Sequence, residues 1–218
     1  MIRAVSIVPA ILTNNKQDFR EQIEKINAFT RRVQIDIADA TLTNNSTIDI
    51  TDVWWPNGWI VDLHLMTKKP SEYIDTILKL HPNLVFLHAE AEEDLLPIFE
   101  TLKQNEIKTG VALLQPTFPG TAKQYIEAAD AALIFAGRLG MQGSTADMIQ
   151  TEKVPIIRSI KPDIEIGWDG GANLSNIRAL AHSDLDVNNV GSALSMAENP
   201  SEAYEQMVAE IDKSGVVL

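Results

Sequence analysis

Two carboxylates and one imidazole, residue types that serve acid–base chemistry and metal binding, occur at the ends of three separate apolar segments. Asp36 lies near the end of segment 32–37, His64 near the end of segment 59–65, and Asp169 directly after segment 164–168. Gln34 shares a face with Asp36, because alternate residues of a strand point to the same side. A single such residue is more typical of a helix cap or a hydrogen-bonded core, but three at three strand ends favour a functional site. Such a group could bind a divalent metal.

Small residues follow the last two apolar segments. Gly170 and Gly171 come after Asp169, and Gly191 and Ser192 come after segment 187–190. Loops of this kind often hold a phosphate on backbone N–H groups. They can also serve only as tight turns between a strand and a helix. Two such turns at consecutive strands favour the phosphate site.

The elements that must position these residues are strands and helices in strict alternation. The predicted strands are 4–11, 32–37, 59–65, 84–88, 108–113, 131–136, 164–168 and 187–190. The predicted helices are 16–28, 70–80, 92–105, 119–128, 149–160, 174–181 and 200–213, with a short one near 50–55. The pattern predicts an α/β fold, and a single (β/α)8 TIM barrel over residues 1–218 is its most compact closed form. An open doubly wound sheet is the alternative, because both folds contain buried parallel strands.

Composition narrows the classes of partner. The formal net charge of −12 disfavours binding to nucleic acid or to an anionic membrane surface. The chain has no cysteine, which excludes disulfides and thiolate zinc sites and fits a cytoplasmic location. No run of 18 apolar residues is present, so no membrane span is expected, and the N-terminal segment is typical of a buried strand rather than of a signal peptide.

The order and spacing of seven short motifs resemble the ribulose-phosphate 3-epimerase family over almost the whole chain. The motifs are Pro9-Ala10-Ile11-Leu12, the segment 34–40, Asp62-Leu63-His64-Leu65-Met66, His88-Ala89-Glu90, the segment 110–117, Asp169-Gly170-Gly171 and Gly191-Ser192-Ala193. The set is specific, although D-G-G or G-S alone would be weak.

The resemblance implies an isomerase that interconverts D-ribulose 5-phosphate and D-xylulose 5-phosphate, in carbohydrate metabolism and the pentose phosphate pathway. It implies that Asp36 and Asp169 are the acid and base, one for each face of carbon 3. It also implies a divalent metal, zinc or iron, held by Gln34, Asp36, His64 and Asp169 to stabilise an enediolate. A small phosphorylated sugar and a homo-oligomeric state, dimer or hexamer, are implied as well. The implied substrate- and phosphate-binding residues are Ala10, His64, Arg138, Gly140, Met141, Gly170, Gly171, Gly191 and Ser192.

Several site positions depart from the family pattern. Gln34 stands where the family has a metal-binding histidine, Ala10 where it has serine, and Ala38 where it has methionine. The loop after the sixth strand has Met141 in place of a glycine, and Arg138 is gained. Arg138 could bind the phosphate or could be a solvated loop residue.

These departures keep two alternatives open. One is a related epimerase or lyase that acts on a hexulose phosphate, and the other is a non-catalytic barrel that binds sugar phosphates. Because Asp36 and Asp169 are both retained, an active enzyme is favoured. We expect Glu90 to lie near the site, next to His88.

Overall fold

The chain forms a closed barrel of parallel strands surrounded by helices. The computed structural model describes residues 5–213. The strands pair in sequence order from β1 to β8, and β8 closes the barrel by pairing with β1. The predicted (β/α)8 TIM barrel is therefore confirmed, and the open doubly wound sheet is excluded.

The strands match their predicted positions to within one or two residues. Their bounds are Ser6–Ile11 (β1), Arg32–Ala38 (β2), Ile60–Met66 (β3), Leu84–His88 (β4), Lys108–Leu113 (β5), Ala131–Phe135 (β6), Glu165–Asp169 (β7) and Val187–Val190 (β8). The predicted start of the first strand, residue 4, lies outside the described residues.

The α-helices are shorter than predicted. Their bounds are Lys16–Ile26 (α1), Ile74–Leu80 (α2), Leu95–Gln104 (α3), Lys123–Ala128 (α4), Lys153–Ile160 (α5), Ile177–Ala181 (α6), Ser192–Ser195 (α7) and Pro200–Ile211 (α8). The described residues also form 3₁₀ turns at Ile50–Asp52, Pro70–Tyr73, Pro119–Ala122 and Met148–Glu152. The last three of these turns occupy the predicted first turns of α2, α4 and α5.

Local signals explain where two of the helices begin. The side chain of Asp94 accepts a hydrogen bond from the Leu96 backbone N–H, so α3 begins after it and not at Glu92. Asn199 caps α8 in the same way through the Glu202 N–H, with Pro200 in the first turn, as the sequence predicts.

Two apolar layers hold the barrel in place. The larger lies between the strands and the helices and includes Trp168 and Phe99, both fully or almost fully buried. The smaller fills the barrel interior and consists of Leu84, Phe86, Ala112, Ala131 and Leu133. This inner layer closes the barrel below the polar residues of the C-terminal mouth, so the mouth is a pocket and not a pore.

Within residues 5–213, none of the helices combines the length and apolarity needed to cross a bilayer. The homo-oligomeric state and the cytoplasmic location stay predictions.

Candidate functional site

Asp36, His64 and Asp169 converge at the C-terminal mouth of the barrel. Asp36 and His64 are register neighbours on β2 and β3, and Asp169 ends β7 across the barrel. His64 Nδ1 lies 3.0 Å from Asp36 Oδ1 and 3.4 Å from Asp169 Oδ2. All three residues are buried, so barrel closure brings together groups that are far apart in sequence.

Gln34 lies on β2 below the two carboxylates and joins them. Its Nε2 donates to Asp36 Oδ1 at 2.9 Å and to Asp169 Oδ2 at 2.6 Å. The Gln34 Oε1 is buried and has no hydrogen-bond partner among residues 5–213. In this orientation Gln34 offers a donor to the carboxylates, not an oxygen to a metal.

The three residues at the mouth fit a divalent metal. One ligand atom from each of Asp36, His64 and Asp169 lies within 4.8 Å of the others. Two carboxylates and one imidazole form a donor set that leaves open positions for a substrate. Rotation of the Gln34 carboxamide would present its Oε1 to the same space, so a fourth oxygen is within reach of the set.

A chain of hydrogen bonds orients His64 from behind. His64 Nε2 lies 2.8 Å from His88 Nε2, and His88 Nδ1 lies 3.3 Å from Glu90 Oε2. Because the Glu90 carboxylate can only accept, His88 donates from Nδ1 and accepts at Nε2, and His64 donates from Nε2. His64 Nδ1 is therefore the nitrogen that faces the carboxylates and is available to a metal. The expected proximity of Glu90 to the site holds in the structure.

Burial and charge divide the titration of this chain. Burial alone lowers the pKa of His64, but its hydrogen bonds to Asp169 and Asp36 and their negative charges raise that pKa to about 9. Burial lowers the pKa of His88 to about 4, so His88 is neutral. Burial, together with the charge of Asp169, raises the pKa of Asp36.

A cavity of about 500 Å³ opens above these groups, a volume that suits a small ligand. Its lining includes Ala10, Leu12, Asp36, His64, Met66, Phe135, the segment 140–144, the segment 169–172, Asn189, Gly191 and Ser192. Of the predicted substrate- and phosphate-binding residues, all line the cavity except Arg138.

Gly170 and Gly171 are required by close packing of two loops. Both have positive φ, 112° and 73°. A Cβ on Gly170 would lie 2.2 Å from the Gly137 backbone nitrogen, and one on Gly171 would lie 2.2 Å from the Ala146 nitrogen. The glycines are therefore turn residues, and they also bring backbone to the cavity wall.

The loop after β6 is held across the cavity by its neighbours. Thr43 Oγ1 donates to the Leu139 carbonyl at 2.9 Å, and Gln142 Nε2 donates to the Leu12 carbonyl at 2.9 Å. Met141 lines the cavity, whereas Arg138 is exposed and lies in the neighbouring groove with Gln115. The structure therefore does not bring Arg138 together with the other predicted site residues.

The sequence analysis missed two polar side chains of the cavity wall, Asn189 and Ser144. Asn189 is 3% exposed on an otherwise buried strand. Its position two residues before Gly191, on the inward face of β8, is the signal that could have identified it. Ser144 lies in an irregular loop, where no periodicity predicts orientation.

The comparisons with known proteins agree with this geometry. Residues 6–195 match the Ribulose-phosphate 3 epimerase family. The ribulose-phosphate 3-epimerase of Schizosaccharomyces pombe is 24% identical over 221 residues, covering 98% of this chain and 96% of that protein. The ribulose-phosphate 3-epimerase of Rhodobacter capsulatus is 26% identical over 219 residues, covering 96% and 95%.

Solved structures share the fold at low sequence identity. KGPDC from Streptococcus mutans, solved in complex with a sugar phosphate, superposes with a TM-score of 0.71 at 14% identity, covering 95% of this chain and 97% of that one. The 3-hexulose-6-phosphate synthase from Salmonella typhimurium has a TM-score of 0.70 at 14% identity, covering 95% and 98%.

Proposed function

Since the chain belongs to the ribulose-phosphate 3-epimerase family, we propose that it interconverts D-ribulose 5-phosphate and D-xylulose 5-phosphate. The observation that carries the proposal is the pair of buried carboxylates, Asp36 and Asp169, at the floor of the cavity. They project from β2 and β7 and both face the cavity, so a sugar bound there has one carboxylate for each face of carbon 3. Inversion at that carbon needs two such proton carriers.

The environment of Asp36 supports its assignment as the carrier that begins with the proton. Its pKa is raised by burial and by the charge of Asp169, so its protonated form is stabilised. The other carboxylate then removes the proton beside the carbonyl, and Asp36 delivers its own proton to the opposite face. In the reverse reaction the two residues exchange roles.

Negative charge develops on the substrate oxygens as the enediolate forms. His64 carries positive charge next to both carboxylates and so favours an anion in this part of the cavity. A divalent ion held by Asp36, His64 and Asp169 would supply Lewis-acid stabilisation of the same charge.

The glycine-rich end of the cavity is proposed to hold the phosphate. Gly171, Gly191 and Ser192 line that end, where backbone N–H groups can donate to phosphate oxygens. The sugar phosphate in the KGPDC complex supports the proposal that a barrel of this kind accepts such a ligand. Arg138 is not included, because it lies outside the cavity.

A hexulose phosphate is the second candidate substrate. Ala10 lines the cavity and contributes only a methyl group, so the cavity has room beyond that of a bulkier residue. Turnover restricted to hexulose phosphates would replace the primary proposal.

The test is deuterium exchange followed by NMR. Wild-type protein is mixed with D-ribulose 5-phosphate in D₂O, with and without zinc, iron(II) or manganese. We expect deuterium at carbon 3 and the appearance of D-xylulose 5-phosphate. Asp36→Asn and Asp169→Asn should lose both signals, whereas Asp62→Asn, on an inward-facing residue at the opposite end of the barrel, should retain them. No exchange in the wild type under any of the metals would refute the proposal.

A further inference from the structure

Strand β8 carries two consecutive asparagines that face opposite layers of the protein. Asn188 has Ile7 and Trp168 as register neighbours, and both belong to the apolar layer between strands and helices. Both polar atoms of the Asn188 side chain are buried without a hydrogen-bond partner in the described part of the chain. Asn189, the next residue, points into the barrel and lines the cavity.

The carboxamide of Asn189 is uncommitted. It is 3% exposed and makes no side-chain hydrogen bond with the part of the chain that the structure describes. The carboxylates and the imidazole of the cavity floor are all paired with one another. A buried amide that faces a cavity without a protein partner is satisfied by whatever occupies the cavity.

The position of Asn189 indicates which part of a ligand it meets. It is the register neighbour of Asp169, the proposed proton carrier on β7. It also lies two residues before Gly191, at the proposed phosphate end. Gly167 below it has no side chain, and Ala10 on the adjacent β1 offers no polar atom, so Asn189 supplies the polar group on this wall.

We propose that Asn189 binds a hydroxyl group of the sugar's carbon chain, between the reacting carbon and the phosphate, and so determines which sugar phosphates are accepted. The inference rests on the proposed function, because it takes the cavity ligand to be a sugar phosphate. A carboxamide suits a hydroxyl because it can both donate to it and accept from it. This requirement selects a ligand with a hydroxyl at that place over one without it.

Matched substitutions on the two asparagines test the inference. Asn189→Leu and Asn189→Ala are compared with Asn188→Leu in thermal-shift titrations with D-ribulose 5-phosphate and with inorganic phosphate. We expect both Asn189 variants to weaken D-ribulose 5-phosphate binding about tenfold and to leave phosphate binding within about twofold. Asn188→Leu should leave both affinities unchanged and raise the Tm by a few degrees (roughly 2–6 °C), because it removes a buried unsatisfied amide.

The alanine variant separates a lost hydrogen bond from a blocked cavity. If Asn189→Leu weakens binding but Asn189→Ala does not, the effect is steric and the inference is overturned. Equal losses in the Asn188 and Asn189 variants, or losses equally large for inorganic phosphate, would also overturn it.

The binding experiment is independent of turnover. If the wild type binds D-ribulose 5-phosphate without epimerising it, the proposed function fails, and the expected losses at Asn189 would still support the hydroxyl contact. If epimerisation is normal and Asn189→Ala binds the sugar as well as the wild type does, the proposed function stands and this inference fails. A wild type that binds D-ribulose 5-phosphate no better than inorganic phosphate would overturn the inference as well.

Discussion

The two ends of the barrel use the same three strands in opposite ways. At the N-terminal end, Arg32 on β2 lies 2.8 Å from Asp62 on β3 and 2.6 Å from Glu165 on β7. One cation is held between two carboxylates by direct hydrogen bonds. Charges paired in this way are typical of a structural ion-pair cluster at the stable end of a barrel.

At the C-terminal mouth, β2, β3 and β7 instead contribute Asp36, His64 and Asp169. Neither Lys nor Arg is among the described residues that line this cavity. The carboxylates are held together by the neutral Gln34 amide and by His64. The mouth therefore tolerates unbalanced acidic groups, which are costly for stability and useful for proton transfer and metal binding.

Removing either mouth carboxylate should have the largest effect. We expect Asp36→Asn and Asp169→Asn each to reduce the epimerisation rate by about 10³-fold or more, because each face of carbon 3 loses its proton carrier. The Tm should stay the same or rise, because two close carboxylates become one. Deuterium wash-in and thermal denaturation measure the two effects. A variant with normal exchange and a much lower Tm would reverse the assignment of the two ends.

Breaking the N-terminal ion pairs should give the opposite result. Arg32→Met leaves the buried Asp62 carboxylate without its cation, so the free energy of unfolding should fall by roughly 2–4 kcal/mol. Arg32 is itself partly exposed, which keeps the loss below that of a fully buried pair. The measurement is urea denaturation at pH 7.

The epimerisation rate of the folded Arg32→Met fraction at 25 °C should be within about threefold of the wild type. A hundredfold loss of rate in well-folded protein would contradict the division between the two ends.

The hydrogen-bond chain behind His64 should show a smaller effect. We expect Glu90→Gln to weaken zinc or manganese binding about tenfold, because His88 loses the carboxylate that orients it toward His64. Metal-dependent Tm shifts measure this affinity. Glu92→Gln is the matched control, since Glu92 is exposed and pairs with Lys68 at the surface. An equal loss in both variants would point to general electrostatics instead.

A third carboxylate near the mouth is expected to serve stability alone, with the smallest effect. Burial pushes the pKa of Asp39 upward, but hydrogen bonds from Thr41, Thr67 and Tyr73 outweigh it, and the net pKa is lowered. A lowered folded-state pKa stabilises the protein above the unfolded value near 3.8, and this stability is lost as the pH falls through the folded value.

Asp39→Asn should therefore destabilise the protein by about 1 kcal/mol at pH 7. The difference from the wild type should narrow below about pH 4. Urea denaturation at pH 7 and pH 3.5 checks this, and a difference that is constant with pH would show that the carboxylate charge is irrelevant.

Sequence patterns predicted the strands better than the helices. The bounds of β4, β5 and β8 were predicted without error, because these are short apolar runs between polar segments. The helix starts were less accurate, since Pro70 and Pro119 open 3₁₀ turns rather than α-helix. The four-residue α7 was missed because it is too short to show a helical period.

Residue order alone was enough to predict the barrel, the inward faces of β2 and β3, and the meeting of Asp36, His64 and Asp169. Alternation in strands and the convergence of parallel strand ends follow from backbone geometry, which sequence periodicity reports directly.

Three features of the site became visible only in the folded chain. Gln34 donates to both carboxylates, Arg138 lies outside the cavity, and Asn189 faces the cavity with its carboxamide free of the described residues. These outcomes depend on distances between residues far apart in the chain, such as the 135 positions between Gln34 and Asp169, and no local pattern encodes such distances.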